Sequence, residues 1–109
     1  MIEKREFYIN GAWVQPSVPE DHNVIDPSNE EVCAVISLGS QSDTDAAVAA
    51  AKAAFPAWAA TSKEERIAAL QRIYDAYKER AEDMAQAIGL EMGAPTDMAR
   101  PQQAGHGIG

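Results

Sequence analysis

Cysteine is almost absent from this chain, and aromatic side chains, positive charge and long apolar runs are all scarce. The single cysteine, Cys33, excludes an internal disulfide and leaves a reducing cytoplasm as the expected compartment. The opening MIEKREF carries charges where a secretory leader needs an apolar stretch. Nine Lys and Arg face 17 Asp and Glu, a formal net charge of −8. Such a surface repels a phosphate backbone rather than releasing its counterions, so no nucleic acid partner is expected. The most apolar stretch, AAVAAAKAAFPAWAA, is interrupted by Lys52 and Pro56, well short of the roughly 18 to 20 residues of a membrane span. No membrane helix is expected.

What is present reads as globular. Hydrophobic residues make up 46% of the 109 positions while aromatics make up only 6%, and the many alanines suggest helices packed through small side chains. The length allows at most one domain, small for an enzyme that must hold both cofactor and substrate.

Three regions follow from the patterning. In residues 1–39, Asn10 and Gly11 separate the β-prone runs Phe7 to Ile9 and Ala12 to Val14, which predicts a two-residue hairpin. QPSVPEDHN is a proline-broken surface loop. Val24 and Ile25 run into a turn at Asp26-Pro27-Ser28-Asn29, and Val32 to Ser37 returns as a second strand. Pro27 suits the turn because it has no N–H for a sheet ladder. The region is therefore expected to be small antiparallel sheet.

Residues 40–95 read as helices. Ser42 with Asp45 three positions on predicts a capping box, followed by Val48, Ala51, Phe55 and Trp58 along one face. Pro56 should end or kink that helix. Ser62 with Glu65 predicts a second capping box, after which Ile67, Leu70, Tyr74, Tyr77, Ala81, Met84 and Ile88 alternate by three and four. This is one long amphipathic helix, or two with a bend near Arg80 to Glu82. Gly89, Gly93 and Pro95 close it. Residues 96–109 are left as an unfinished tail, and no internal repeat is visible.

Few residues offer chemistry. GHGIG at the end lacks the spacing, the preceding strand and the following helix that a dinucleotide-binding glycine loop requires. Cys33 stands among Val32, Ala34, Val35 and Ile36, the setting of a buried structural cysteine rather than an activated nucleophile. His22 and His106 have no metal-ligand spacing and read as loop residues. The charged residues around Ile67 to Ile88 fall mostly opposite the apolar stripe and form a solvated face. No catalytic residue and no cofactor-binding residue is predicted from these patterns.

Taken in order, FYINGAWV, then VIDPSNEEVCAVISLGSQSDTDAAVAAAKAAFPAW, then SKEERIAALQRIYDAYKERAEDMAQAIGLEMGAP resemble the amino-terminal part of the NAD(P)-dependent aldehyde dehydrogenase superfamily. The markers are the strand with its Asn-Gly turn and tryptophan, the Asp26-Pro27 turn, Phe55-x-x-Trp58, the Arg66 helix, and Leu90-Glu91-Met92-Gly93-Ala94-Pro95. The resemblance implies an α/β fold, the incomplete first part of a Rossmann-like cofactor-binding domain. Full-length relatives oxidise an aldehyde to a carboxylic acid. A cysteine thiolate attacks the carbonyl, hydride passes to NAD or NADP, and a glutamate-activated water releases the acid. The family's nucleophile, oxyanion-holding asparagine, cofactor motifs and general base have no matching positions here. By this resemblance the chain is a fragment that binds no cofactor by itself and belongs to a homo-oligomer when full length.

Two details of the resemblance concern Glu91. LEMGA imitates the family's general-base motif, but Glu91 closes a helix before a Gly-x-Pro turn, so the catalytic role does not transfer. Some relatives hold a monovalent cation with a backbone oxygen at the position of Ile25 and an acidic side chain at that of Glu91. A hard cation suits those oxygen donors. An alternative function is a non-catalytic module that docks on a dehydrogenase subunit or another partner through the Ile67 to Ile88 face, which would be an exposed apolar patch in isolation.

Overall fold

The computed structural model of this chain describes residues 1–107. Five strands come first, β1 (Ile2–Lys4), β2 (Phe7–Ile9), β3 (Ala12–Val14), β4 (Asp21–Asp26) and β5 (Glu31–Ser37). Helices α1 (Gln41–Ala59), α2 (Lys63–Glu79), α3 (Ala81–Met92) and α4 (Thr96–Met98) follow. A π-helical turn at Ala99–Gln103 and a 3-10 turn at Ala104–Gly107 complete the described chain. Two compact units result. One comprises Met1–Val24 with Val32–Thr61, the other Ile25–Glu31 with the chain from Ser62 on.

In the first unit the β2–β3 hairpin forms as the Asn-Gly pair predicts. Phe7, Tyr8 and Ile9 face Val14, Trp13 and Ala12 in antiparallel register. Asn10 and Gly11 take φ of 54° and 78°, the left-handed pair of a turn whose twist matches its strands. Alternation turns Phe7 and Ile9 inward and leaves Tyr8 and Trp13 exposed, their rings 5.1 Å apart.

The three-stranded sheet has the order β1-β5-β4. The four residues between β4 and β5 are too few for a crossover, so the two strands run antiparallel, and Leu38 N–H donating to the Glu20 carbonyl extends the ladder. Strand β1 was not foreseen. It pairs parallel with β5, Ile2 to Ala34 and Lys4 to Ile36, so β5 is the central strand. It accordingly carries the buried residues Ala34, Val35 and Ser37.

Helix α1 starts two residues earlier than expected. The capping box is Ser40 with Asp43: the Ser40 hydroxyl accepts from Asp43 N–H, and the Asp43 carboxylate accepts from Ser40 N–H. Ser42 is inside the first turn instead. Pro56 does not end the helix, which runs one further turn to Ala59. Its missing N–H removes one bond, and Ala60 N–H still reaches the Pro56 carbonyl at 3.1 Å.

In the second unit α2 opens on the predicted Ser62–Glu65 box. The predicted bend is a break at Arg80, whose φ of −108° and ψ of 11° leave the helical region. Helix α3 ends on Gly93 in the left-handed conformation, its N–H bonded to the Gly89 carbonyl. Residues 96–107, where the sequence offered no element, fold into consecutive helical turns. They bring Ala99 and Ala104 to 1% exposure, the most buried positions with Ala85.

Candidate functional site

Of the residues singled out by sequence, Ile25 and Glu91 lie in the second unit, at the β4–β5 turn and the end of α3. Asp26 organises the turn. Its carboxylate accepts from the Ser28 hydroxyl at 2.7 Å and the Ser28 N–H at 2.8 Å, and those two bonds hold it below the usual carboxylate range. The Glu30 N–H donates to the Asp26 carbonyl at 2.8 Å, and Glu30 itself takes φ 60°. Asn29 Oδ1 accepts from the Glu31 N–H.

The end of α3 meets this turn. A Cβ placed on Gly93 would stand 3.0 Å from Pro27 Cγ. Ile25 lies two residues before Pro27 and Glu91 two before Gly93, so the two proposed cation donors belong to segments in direct contact. Ile25 is on β4 and Glu91 in the last turn of α3, both exposed. The neighbourhood offers backbone and carboxylate oxygens, the donor class a hard cation takes.

Glu91 lies at a helix stop rather than in the strand-and-loop setting of a general-base motif. Its helix is closed by the left-handed Gly93 and followed by Pro95 at ψ 143°, which is a structural stop of the kind glycine and proline make. The terminal glycines also have a packing role. A Cβ on Gly107 would fall 2.5 Å from the Tyr77 ring, and the Tyr77 hydroxyl donates to the Ala104 carbonyl at 2.8 Å. Gly105 lies in the same 3-10 turn. Ile108 and Gly109, the remainder of GHGIG, lie outside the described residues.

Cys33 is half-buried on β5 with its thiol donating to the Val24 carbonyl at 3.4 Å, as a structural cysteine should. His22 stands on β4 rather than in a loop, and His106 in the 3-10 turn. Among the described residues no three His, Cys, Asp or Glu converge as metal ligands, and no helix is long and apolar enough to cross a membrane.

Two arrangements escaped the sequence reading. In the first unit Ser17 hydrogen-bonds to Ser40 and Ser42 at 2.7 and 2.6 Å, and its N–H donates to Asp43 at 3.0 Å. The N–H groups of Ser40 and then Ser17 pull the Asp43 carboxyl down. In the second unit Arg100 grips Glu82 with two bonds of 2.7 and 2.8 Å. That guanidinium, helped by the Gln86 amide, lowers Glu82 from 4.5 to about 2. Both join residues far apart in sequence. Both read as fasteners of the fold.

Comparison with known proteins decides the family. Residues 13–108 match the pattern of the aldehyde dehydrogenase family. The chain belongs to the aldehyde dehydrogenase family. Among its relatives is a 3-succinoylsemialdehyde-pyridine dehydrogenase from a Pseudomonas species, 42% identical over all of this chain and 23% of the relative. An aldehyde dehydrogenase from Bartonella henselae is 54% identical, with a TM-score of 0.94 over 96% of this chain and 22% of that one. An aldehyde dehydrogenase C variant from Pseudomonas syringae, solved with NAD+ and octanal, is 46% identical with a TM-score of 0.90 over 93% and 21%. The chain thus spans under a quarter of the length of each. The α/β fold expected from the family resemblance is the fold these aldehyde dehydrogenases share.

Proposed function

We propose that these residues are the amino-terminal portion of the cofactor-binding domain of an NAD(P)-dependent aldehyde dehydrogenase that converts aldehydes to carboxylic acids. The agreement with the Bartonella henselae enzyme over nearly the whole chain carries this reading. A relative solved with NAD+ and octanal supports both the cofactor and the aldehyde class. The nicotinamide cofactor takes the hydride when bound, and the chemistry belongs to parts of the family outside residues 1–109.

The segment itself acts as scaffold. Its two hairpins, capped helices and Arg100–Glu82 fastener shape one part of the domain, and none of its residues is assigned to catalysis or cofactor contact. Alone it is inactive. Ile25 and Glu91 are proposed as donors to a structural monovalent cation, supported by the meeting of Pro27 and Gly93. The complete protein is a cytoplasmic homo-oligomer.

The test is to read the coding DNA beyond the Gly109 codon and express the whole open frame. NAD(P)+-dependent oxidation of an aldehyde by that product, with none by the 109-residue chain, is the expected result. A stop codon directly after Gly109, or turnover by the short chain, would overturn it. Potassium raising the melting temperature of the full product, with the rise lost in Glu91→Gln, tests the cation donors.

A further inference from the structure

We infer that Asn10 is a site of spontaneous covalent modification: in the folded hairpin its side-chain amide is converted to isoaspartate through the Gly11 nitrogen, and the product undoes the strand register. This chemistry is independent of the reaction proposed above.

Such a conversion needs an asparagine whose side-chain carbon can be reached by the backbone nitrogen of the next residue. Asn10 and Gly11 form the tip of the β2–β3 hairpin, and both are exposed. Glycine has no Cβ to shield its nitrogen, and a Cβ built on Gly11 would meet nothing within 4 Å, so solvent base and departing ammonia have open space. Ile9 pairs with Ala12 straight across the turn. The ladder therefore uses the groups of those two residues and leaves the Gly11 N–H out. Among the described residues no hydrogen bond holds the Asn10 amide. The flanking strands have three residues each, so the turn can open locally to bring nitrogen and carbon together without unfolding the rest.

The chain supplies its own controls. Its other asparagines are Asn23 and Asn29. Asn23 lies within β4 and precedes the branched Val24. Asn29 precedes Glu30, and its Oδ1 is tethered by the Glu31 N–H at 3.0 Å. Asp26 cannot cyclise in this way because Pro27 has no N–H.

In the reaction a solvent base takes the Gly11 amide proton, and the nitrogen bonds to Asn10 Cγ. The Cγ–Nδ2 bond breaks, and that nitrogen leaves as ammonia with a proton from water, closing a five-membered succinimide. Water then opens the ring. Cleavage at Cγ gives aspartate, and cleavage at the original main-chain carbonyl gives isoaspartate, with the chain rerouted through Cβ and Cγ. The sum is amide plus water to carboxylate plus ammonium. Either product adds one negative charge to the −8. Isoaspartate also adds a methylene to the main chain of a turn whose length fixes the register. The pairing of Phe7 with Val14 and Tyr8 with Trp13, and the 5.1 Å ring contact, are then lost.

The experiment incubates the folded 109-residue chain in mildly alkaline buffer at body temperature beside a urea-unfolded sample. Peptides are mapped by mass spectrometry with fragmentation that separates aspartate from isoaspartate. In the folded chain, conversion at Asn10 should run at least tenfold faster than at Asn23 or Asn29, rise with hydroxide, and yield mainly isoaspartate. NMR contacts between the Tyr8 and Trp13 rings should vanish in the isoaspartate form and persist in Asn10→Asp. An intact Asn10 in the folded chain once the urea sample has converted would overturn the inference. So would equal rates at the three asparagines, aspartate as the sole product, or an isoaspartate form that keeps the Tyr8–Trp13 contacts.

Discussion

Gly93 closes α3 against Pro27 at φ 68°, where a Cβ would stand 3.0 Å from Pro27 Cγ, close enough that the ring would have to give. A side chain there meets both a left-handed backbone and a rigid ring. Gly93→Ala should lower the urea-unfolding free energy by about 2 kcal/mol, roughly 1 from the left-handed backbone and about 1 from overpacking against the ring. Gly11→Ala is the control, because Gly11 has φ 78° but nothing within 4 Å. It should cost only about 1 kcal/mol, the backbone penalty alone. Equal losses would mean that the Pro27 contact is not restrictive.

Glu30 is the opposite case. It is a non-glycine residue at φ 60° in the β4–β5 turn, so it carries a strain that glycine would not. Glu30→Gly should raise stability by roughly 0.5 to 1 kcal/mol, the left-handed penalty less glycine's greater unfolded freedom. An unchanged or lower urea midpoint would contradict this.

The Glu82–Arg100 pair gives a pH dependence with a definite sign. The folded-state pKa of Glu82 is lowered from 4.5 to about 2, so its contribution is fully present above 4.5. It is lost as pH falls from 4.5 to about 2, where the folded carboxylate also takes a proton. Carboxyl NMR titration of Glu82 should show the low midpoint in the wild type. In Arg100→Gln the midpoint should return toward 4.5. Because the pair is exposed to solvent, salt should weaken it.

The two serines at the start of α1 are distinguishable. Ser40→Ala removes the cap and should destabilise by about 1 kcal/mol. Ser42→Ala removes hydroxyl contacts with Ser17 and Ser40 but no bond to a helix-start N–H, and should cost less than half as much. Asp43→Asn should loosen Ser17 as well, seen as faster amide exchange at Ser17. Equal effects of the two serine substitutions would restore Ser42 as the cap.

These residues also show what could be read in advance. The Asn10-Gly11 hairpin and the Ser62 helix were legible because their signals are local: two residues with left-handed freedom, and one serine with one matching glutamate. The α1 start was not, since SQSDTD contains two overlapping cap patterns, Ser40 with Asp43 and Ser42 with Asp45. Ser17, 26 positions before Asp43, settles the choice by donating its N–H to that carboxylate. Strand β1 was invisible for a similar reason. Three exposed residues carry no alternation, and their partner lies beyond three other strands. The Arg100–Glu82 pair and the packing of Ala99 and Ala104 likewise exist only once the chain folds back. Ile25 and Glu91 came from family resemblance, since neither has a local signature.

The parallel pairing of Ile2–Lys4 with Ala34–Ile36 has a consequence for the order of events at the ribosome. Strand β1 must wait until β5 has been made, and a contact of that sequence separation is slow to close. The hairpin at Asn10 and the capped helices need only near neighbours and can form as they emerge. Strand β1 is thus made before the rest of this sheet and is among the last parts of it to be secured.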